Sequence, residues 1–328
     1  MKAATLFVVA VFLALAGCGS VPKRNPVPAA LGPEATIPGV DVIRIWGDER
    51  PPIARDWITM PEDEVKERFP ALYDAEHHYL AISGGGPDGA FTAGLLNGWT
   101  EAGDRPTFSF VTGVSTGALI APFAFVGSEY DAKLKEFYTS VSTKDIVTMR
   151  RPLQGLTSDA MTDSAPLKKL LEQVVDETLL DKVAAAHRRG RRLLIGTTNL
   201  DAARPVAWSM GAIAASDLPN RLELFRSIML ASASIPGALP PVFIQVEADG
   251  KTYDELHVDG GTCSQVFLLP VGVDWQVIEE KWRVRGSPRV YVIRNSLVRP
   301  KWVELEPSLF KIVGLSLIHI SEPTRPTT

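Results

Sequence analysis

A serine hydroxyl becomes a useful nucleophile when a neighbouring base takes its proton and nearby donors hold the oxyanion that forms. One serine of this chain sits where both needs can be met. Ser115 lies in Gly113-Val114-Ser115-Thr116-Gly117, after an apolar, β-branched run and before small, helix-tolerant residues. The pattern fits a nucleophile elbow, a strand-to-helix turn too tight for side chains at the flanking positions. The N-terminus of the following helix adds unpaired N–H groups and the positive end of its dipole. Alone, the pattern matches many unrelated chains, so the donors and the base must be sought elsewhere.

Gly84-Gly85-Gly86, followed by Gly89, closes the apolar run "HYLAIS" and opens onto a helical stretch. Three glycines let backbone amides turn toward a developing oxyanion with no Cβ in the way. A phosphate cradle is the competing use, but no Walker lysine follows and no ribose-binding acid stands in the expected context. For the base, "LHVDGG" offers His257 and Asp259, the latter followed by Gly260 and Gly261. Their two-residue spacing puts both on one face of a strand. The α/β-hydrolase order of serine, acid, histidine leaves His257 to consider, since His187 lies in a basic run and His319 in a C-terminal segment of foreign character. The residues alone do not separate Asp259 from His257.

The elements that must position these groups follow from apolar patterning. A strand at 78–83 leads through the glycine loop into a helix bearing Ala90, Phe91, Leu95, Leu96 and Trp99. A strand at 108–112, the Ser115 corner and a helix through Phe125 come next. This is the grammar of a parallel sheet with crossover helices. One helix is expected over about 166–186, capped by Asp163-Ser164, then strands at 192–200 and 205–210 and a helix at about 222–233. Asp249-Gly250 turns a hairpin, and a last strand lies at 289–295. Residues 43–68, with Trp46 and Trp57, read as an extension packed on the domain. The basic run His187 to Arg192 reads as a solvated helix end. With 328 residues, 45% of them apolar, and a net charge of −4, the chain suits one large α/β domain or two small ones. It carries no electrostatic footprint for nucleic acid.

Gly-Gly-Gly-x-x-Gly, Gly-x-Ser-x-Gly and Asp-Gly-Gly, in that order between about Tyr79 and Pro270, resemble the patatin-like phospholipase family. "ASASIPGALPPV", Ala231 to Val242, is similar to that family as well. The resemblance implies a three-layer α/β/α patatin-like fold with a mostly parallel central sheet. It implies a Ser-Asp dyad without histidine, Ser115 as nucleophile and Asp259 as base, with the amides of Gly84, Gly85 and Gly86 as oxyanion hole. Gly89, Gly113, Gly117, Gly260 and Gly261 complete the motifs. The implied reaction is hydrolysis of lipid acyl esters through an acyl-enzyme, with no cofactor and no metal ion. One departure stands out: the family often has a basic residue in the oxyanion loop where this chain has Asp88. A carboxylate there suits a helix start but does not favour an anionic headgroup. Two alternatives remain open: a catalytically inert lipoprotein that binds acyl chains in the same cleft, and a Ser-His-Asp esterase built on His257.

The ends carry their own signals. After Lys2 a short apolar stretch ends in "LAGC", which resembles the lipobox of bacterial lipoproteins. The expected organisation is a signal peptide at 1–17, a Pro-rich tether at 18–40 lipid-modified on Cys18, and an extension at 41–78. The catalytic domain follows at 79–272, with its C-terminal part at 273–314. The lipobox-like end points to a lipid anchor in the bacterial cell envelope facing the periplasm, and Gly19 in place of an acidic residue after Cys18 points to the outer membrane. With Cys18 modified, Cys263 has no disulfide partner, and no separate base accompanies it. "LSLIHISEPTR", from Leu315, resembles a translated sequencing adapter, so 315–328 is expected to be foreign and the native sequence to end near Gly314.

Overall fold

The computed structural model describes residues 24–40, 43–140, 148–149, 160, 162–268 and 272–296. Cys18 and the segment 315–328 lie outside the described residues. In chain order the strands are β1 (Arg44–Trp46), β2 (His78–Ile82), β3 (Phe110–Val114), β4 (Thr148–Met149), β5 (Thr162–Asp163), β6 (Arg192–Asn199), β7 (Arg204–Ser209), β8 (Val242–Ala248), β9 (Lys251–Asp259) and β10 (Arg289–Ile293). The α-helices are α1 (Ile53–Thr59), α2 (Glu62–Arg68), α3 (Gly89–Ala102), α4 (Thr116–Val126), α5 (Asp131–Ser140), α6 (Ala165–Val174), α7 (Glu177–Arg188), α8 (Met210–Ala215), α9 (Arg221–Ala233) and α10 (Trp275–Lys281).

Apart from the small β4–β5 ribbon, the described strands form one mixed sheet. Its centre runs parallel in the order β10-β2-β3-β6, and β7 and β1 extend it antiparallel beyond β6. All residues of β2 and β3 are buried. Strands covered on both faces are apolar along most of their length, which is why "HYLAI" and "FVTGV" do not alternate. One face carries the main core, built from residues such as Leu80, Val111, Ile195 and Trp208 with the helices from α3 to α9. The other carries an aromatic cluster of Trp57, Phe69, Tyr79, Phe110 and Trp282, supplied largely by α1, α2 and α10. The result is a three-layer α/β/α sandwich. Between its layers, α4 is buried from Thr116 to Phe125, as a helix apolar all round must be.

The arrangement around β6 decides where the site lies. Val114, the last residue of β3, pairs with Gly196, and the next residue of β6, Thr197, pairs with Asp259 at the end of β9. On its other side β6 pairs with β7 throughout this stretch. The strands β3 and β9 therefore share one side of β6 and meet end to end.

Three expectations need correction. The helix at 166–186 is two helices, because Asp176 starts a new one by accepting from the Leu179 N–H at 2.9 Å. The segment 24–40 is no free spacer: Thr36 exchanges backbone hydrogen bonds with Glu247 on β8, and Ala35 and Ile37 are buried. The basic run is only partly solvated. Arg191 donates to the carbonyls of Phe108 (2.7 Å) and Phe125 (2.5 Å), and Arg192 lies over the Phe69 ring.

Candidate active site

Ser115 stands between β3 and α4 with φ 55° and ψ −124°. A non-glycine residue in such a conformation costs about 1–3 kcal/mol, and the surroundings must hold it. Gly117 helps by proximity: a Cβ there would collide with the carbonyls of Ile82 and Ser83 at the end of β2. Gly113 faces Gly117 across the same turn, and Gly89 brings the start of α3 against Thr116 and Tyr138. The Ser115 N–H donates to Ser232 Oγ at 3.0 Å, and that hydroxyl donates onward to the Gly196 carbonyl at 2.6 Å. Ser232 is fully buried on α9. It had been legible in the sequence only as part of "ASASIPG", with nothing to reveal its partner.

Asp259 reaches the same corner from β9. Its N–H donates to the Ser234 carbonyl at 2.9 Å, so the end of α9 supports both residues. One carboxylate oxygen, Oδ1, accepts from the Gly261 N–H at 2.7 Å, while Gly260 packs over Gly196 of β6. The other, Oδ2, is buried without a hydrogen-bond partner. Burial pushes the carboxyl up to about 6, opposed by the nearby Ser115 hydroxyl and the Gly261 amide, which favour the charged form. Such contacts are often loose without substrate and tighten when it binds.

The glycine loop closes the site from the β2 side. Gly84 lies against the Ser115 side chain, and its own amide is taken by the Gln265 carbonyl at 3.1 Å. This narrows the expected trio of donors: among the described residues, the amides of Gly85 and Gly86 have no acceptor. Gly85 has φ 155° and ψ 8°, a conformation that L side chains rarely adopt, and a Cβ there would collide with Asn295. Asn295, just beyond β10, escaped the sequence reading. Its N–H donates to Ser83 Oγ (2.9 Å), its side-chain amide to the Ser83 carbonyl (2.9 Å), and its Oδ1 accepts from Thr92 (2.5 Å). Asp88 is exposed and forms no ion pair among the described residues.

His257 is fully buried but turned to other work. Nδ1 meets Thr197 Oγ1 at 2.9 Å and Nε2 meets Glu255 Oε2 at 3.1 Å, and Glu255 pairs with Arg44 at 3.0 Å. Both ring nitrogens are occupied, and desolvation lowers the ring's affinity for a proton against the opposing pull of Glu255. Cys263 is a free, exposed thiol. No group of three or more metal-ligating side chains occurs among the described residues.

A family model described as patatin-like phospholipase matches residues 80–271, more than half of the chain. The chain belongs to the patatin-like phospholipase family. Ser115, Asp259 and the Gly84–Gly86 loop all fall inside the matched patatin domain, whereas Asn295 lies beyond it. No curated protein matches the chain. Among solved structures it is similar to VipD from Legionella pneumophila, with a TM-score of 0.41 and 12% identity over 67% of this chain. It spans about half of that structure's length (49%).

Proposed function

We propose that this patatin-family member is a serine hydrolase of lipid acyl esters that works through a Ser115–Asp259 dyad. In this reading Ser115 Oγ attacks the ester carbonyl while its proton passes to Asp259 Oδ2. The negative charge on the carbonyl oxygen is held by the Gly85 and Gly86 amides and the first amides of α4. Collapse breaks the bond to the leaving alcohol, which takes the proton from Asp259, and Ser115 keeps the acyl group. Water then attacks the acyl-enzyme with Asp259 again as base, releasing a fatty acid and restoring the free hydroxyl.

The observation that carries the reading is the buried, unpartnered Asp259 Oδ2 beside the strained Ser115. An esterase built on His257 is disfavoured, because both nitrogens of that ring are committed away from Ser115. A lipid substrate is supported by the start of α3, where Phe91 (59% exposed) and Leu95 (41%) stand one turn apart just after the glycine loop. Asp88 at that loop weighs against an anionic headgroup. The lipobox-like "LAGC" supports a lipid anchor on Cys18 in the bacterial envelope. Loss of membrane association in a Cys18→Ser protein would test that part.

Labelling with a fluorophosphonate, followed by mass spectrometry of the adduct, tests the hydrolase. An adduct on Ser115 that disappears in Ser115→Ala is the expected result. An unlabelled, correctly folded protein would leave the inert acyl-binding lipoprotein as the better account.

A further inference from the structure

A second candidate binding site lies at the far end of the sheet from Ser115. Phe110 opens β3 and Ser115 follows its last residue, so a strand length of about 16 Å separates the two places. There a cavity of about 180 Å³ lies between the N-terminal extension and the sheet. Ile45, Ile53, Trp57, Phe110 and Leu194 form its apolar walls, and Arg68, His187 and Arg192 line it as well.

The polar inventory of this cavity does not balance. No carboxylate lines it. Among the described residues Arg192 forms no ion pair. Its hydrogen bonds from NH1 go to the carbonyls of His187 (3.2 Å) and Arg191 (3.0 Å). Arg68 is a like charge close enough to disfavour protonation of Arg192, and its own partner, Glu64, is on the exposed side of α2. The Trp57 indole N–H and His187 Nδ1 are both buried without partners. Leaving such groups unsatisfied is costly, and an enclosed guanidinium without a counter-charge is costlier still.

From this we infer that the cavity binds a short-chain carboxylate, its alkyl chain against the Ile53–Trp57–Phe110 wall and its carboxylate on Arg192. An anionic head supplies the missing counter-charge and can accept from the Trp57 N–H. An apolar tail matches the walls. The volume falls below the roughly 300–1,000 Å³ of sites for drug-sized ligands, which restricts the chain to a short one. The site stands apart from the dyad and does not depend on Ser115 being a nucleophile.

The test uses the full chain carrying Ser115→Ala, so that binding cannot depend on turnover. Hexanoate, hexanol and acetate are titrated by calorimetry and by tryptophan fluorescence. Saturable one-to-one binding of hexanoate, roughly tenfold or more tighter than either control, is expected. Arg192→Gln should weaken it by a similar factor. Ala212→Leu, which fills the cavity while keeping every charged group, should abolish it, and this second variant decides the matter if Arg192→Gln fails to fold. Absence of saturable hexanoate binding, equal affinity for hexanol, or binding that survives Ala212→Leu in a folded protein would each overturn the site.

Discussion

The Ser232 hydroxyl accepts from the Ser115 N–H at 3.0 Å and donates to the Gly196 carbonyl at 2.6 Å, tying the elbow to the strand beside it. Ser232→Ala removes both bonds and leaves a buried N–H unpaired, at a cost of about 1–3 kcal/mol in stability. Because the bond holds Ser115 at its positive φ, kcat should fall tenfold or more while KM changes little. Steady-state kinetics on protein shown to be folded would check this; an unchanged kcat would mean that Ser232 only supports the fold.

Ser115→Ala should abolish ester hydrolysis with little effect on folding, since a small hydroxyl is removed from a site that is already well packed. Asp259→Asn should abolish it as well. That variant should also be the more stable protein at neutral pH. Raising the carboxyl from its ordinary range to about 6 means that burial disfavours the charged form by about 3 kcal/mol. The neutral amide escapes much of that cost, which thermal melts at pH 8 would reveal.

The same shift sets a pH dependence. A carboxyl whose pKa is raised on folding binds its proton more tightly in the native state. Its contribution to stability is therefore full below pH 4 and declines as the pH rises through about 6. Activity should run the other way, because Asp259 must be ionised to accept a proton. The kcat/KM profile should fall on the acid side with an apparent pKa near 6. A flat profile between pH 5 and 8 would speak against Asp259 as base.

His257→Ala should lower stability by about 2–4 kcal/mol, because Glu255 Oε2 and Thr197 Oγ1 each lose a buried hydrogen-bond partner, with only Arg44 left to Glu255 among the described residues, and a cavity opens beside Trp208. Measured per folded molecule, hydrolysis should persist near the parent level. A loss as deep as that of Ser115→Ala would restore the histidine mechanism.

Gly85→Ala should drive the loop away from Asn295 and withdraw the free amides, reducing kcat roughly a hundredfold or more. Gly86→Ala is a milder test, since an added Cβ there meets nothing within 4 Å and only its positive φ, 55°, resists the change. If both variants turned over like the parent, the loop would not be the oxyanion hole.

The parts of the site that constrain backbone were legible from sequence. Gly85, Gly113 and Gly117 are required by a positive φ or by close approach, and a motif records such demands locally. Ser232 and Asn295 were not legible, because their bonds join Ser115 and Ser83 to residues 117 and 212 positions away. Nothing near a serine or an asparagine announces such a partner. The Arg191-Arg192 pair misled for a related reason: composition marks charge as solvated, while burial was decided by Phe69 and Phe125, on which the guanidinium groups rest. Which candidate base faces the serine depended on the end-to-end meeting of β3 and β9, a property of topology that spacing along one strand does not express.

Asn295 and β10 bear on what the smallest working unit of this protein is. The segment that matches the family stops at residue 271, yet β10 is the neighbour that shields β2 along its outer edge. A fragment trimmed to the matched segment would lose the clamp on Ser83 and leave the backbone of β2 open to pairing with other chains. Such a fragment should aggregate rather than merely lose activity, and attempts to shorten or graft this protein should keep the chain at least through Asn295.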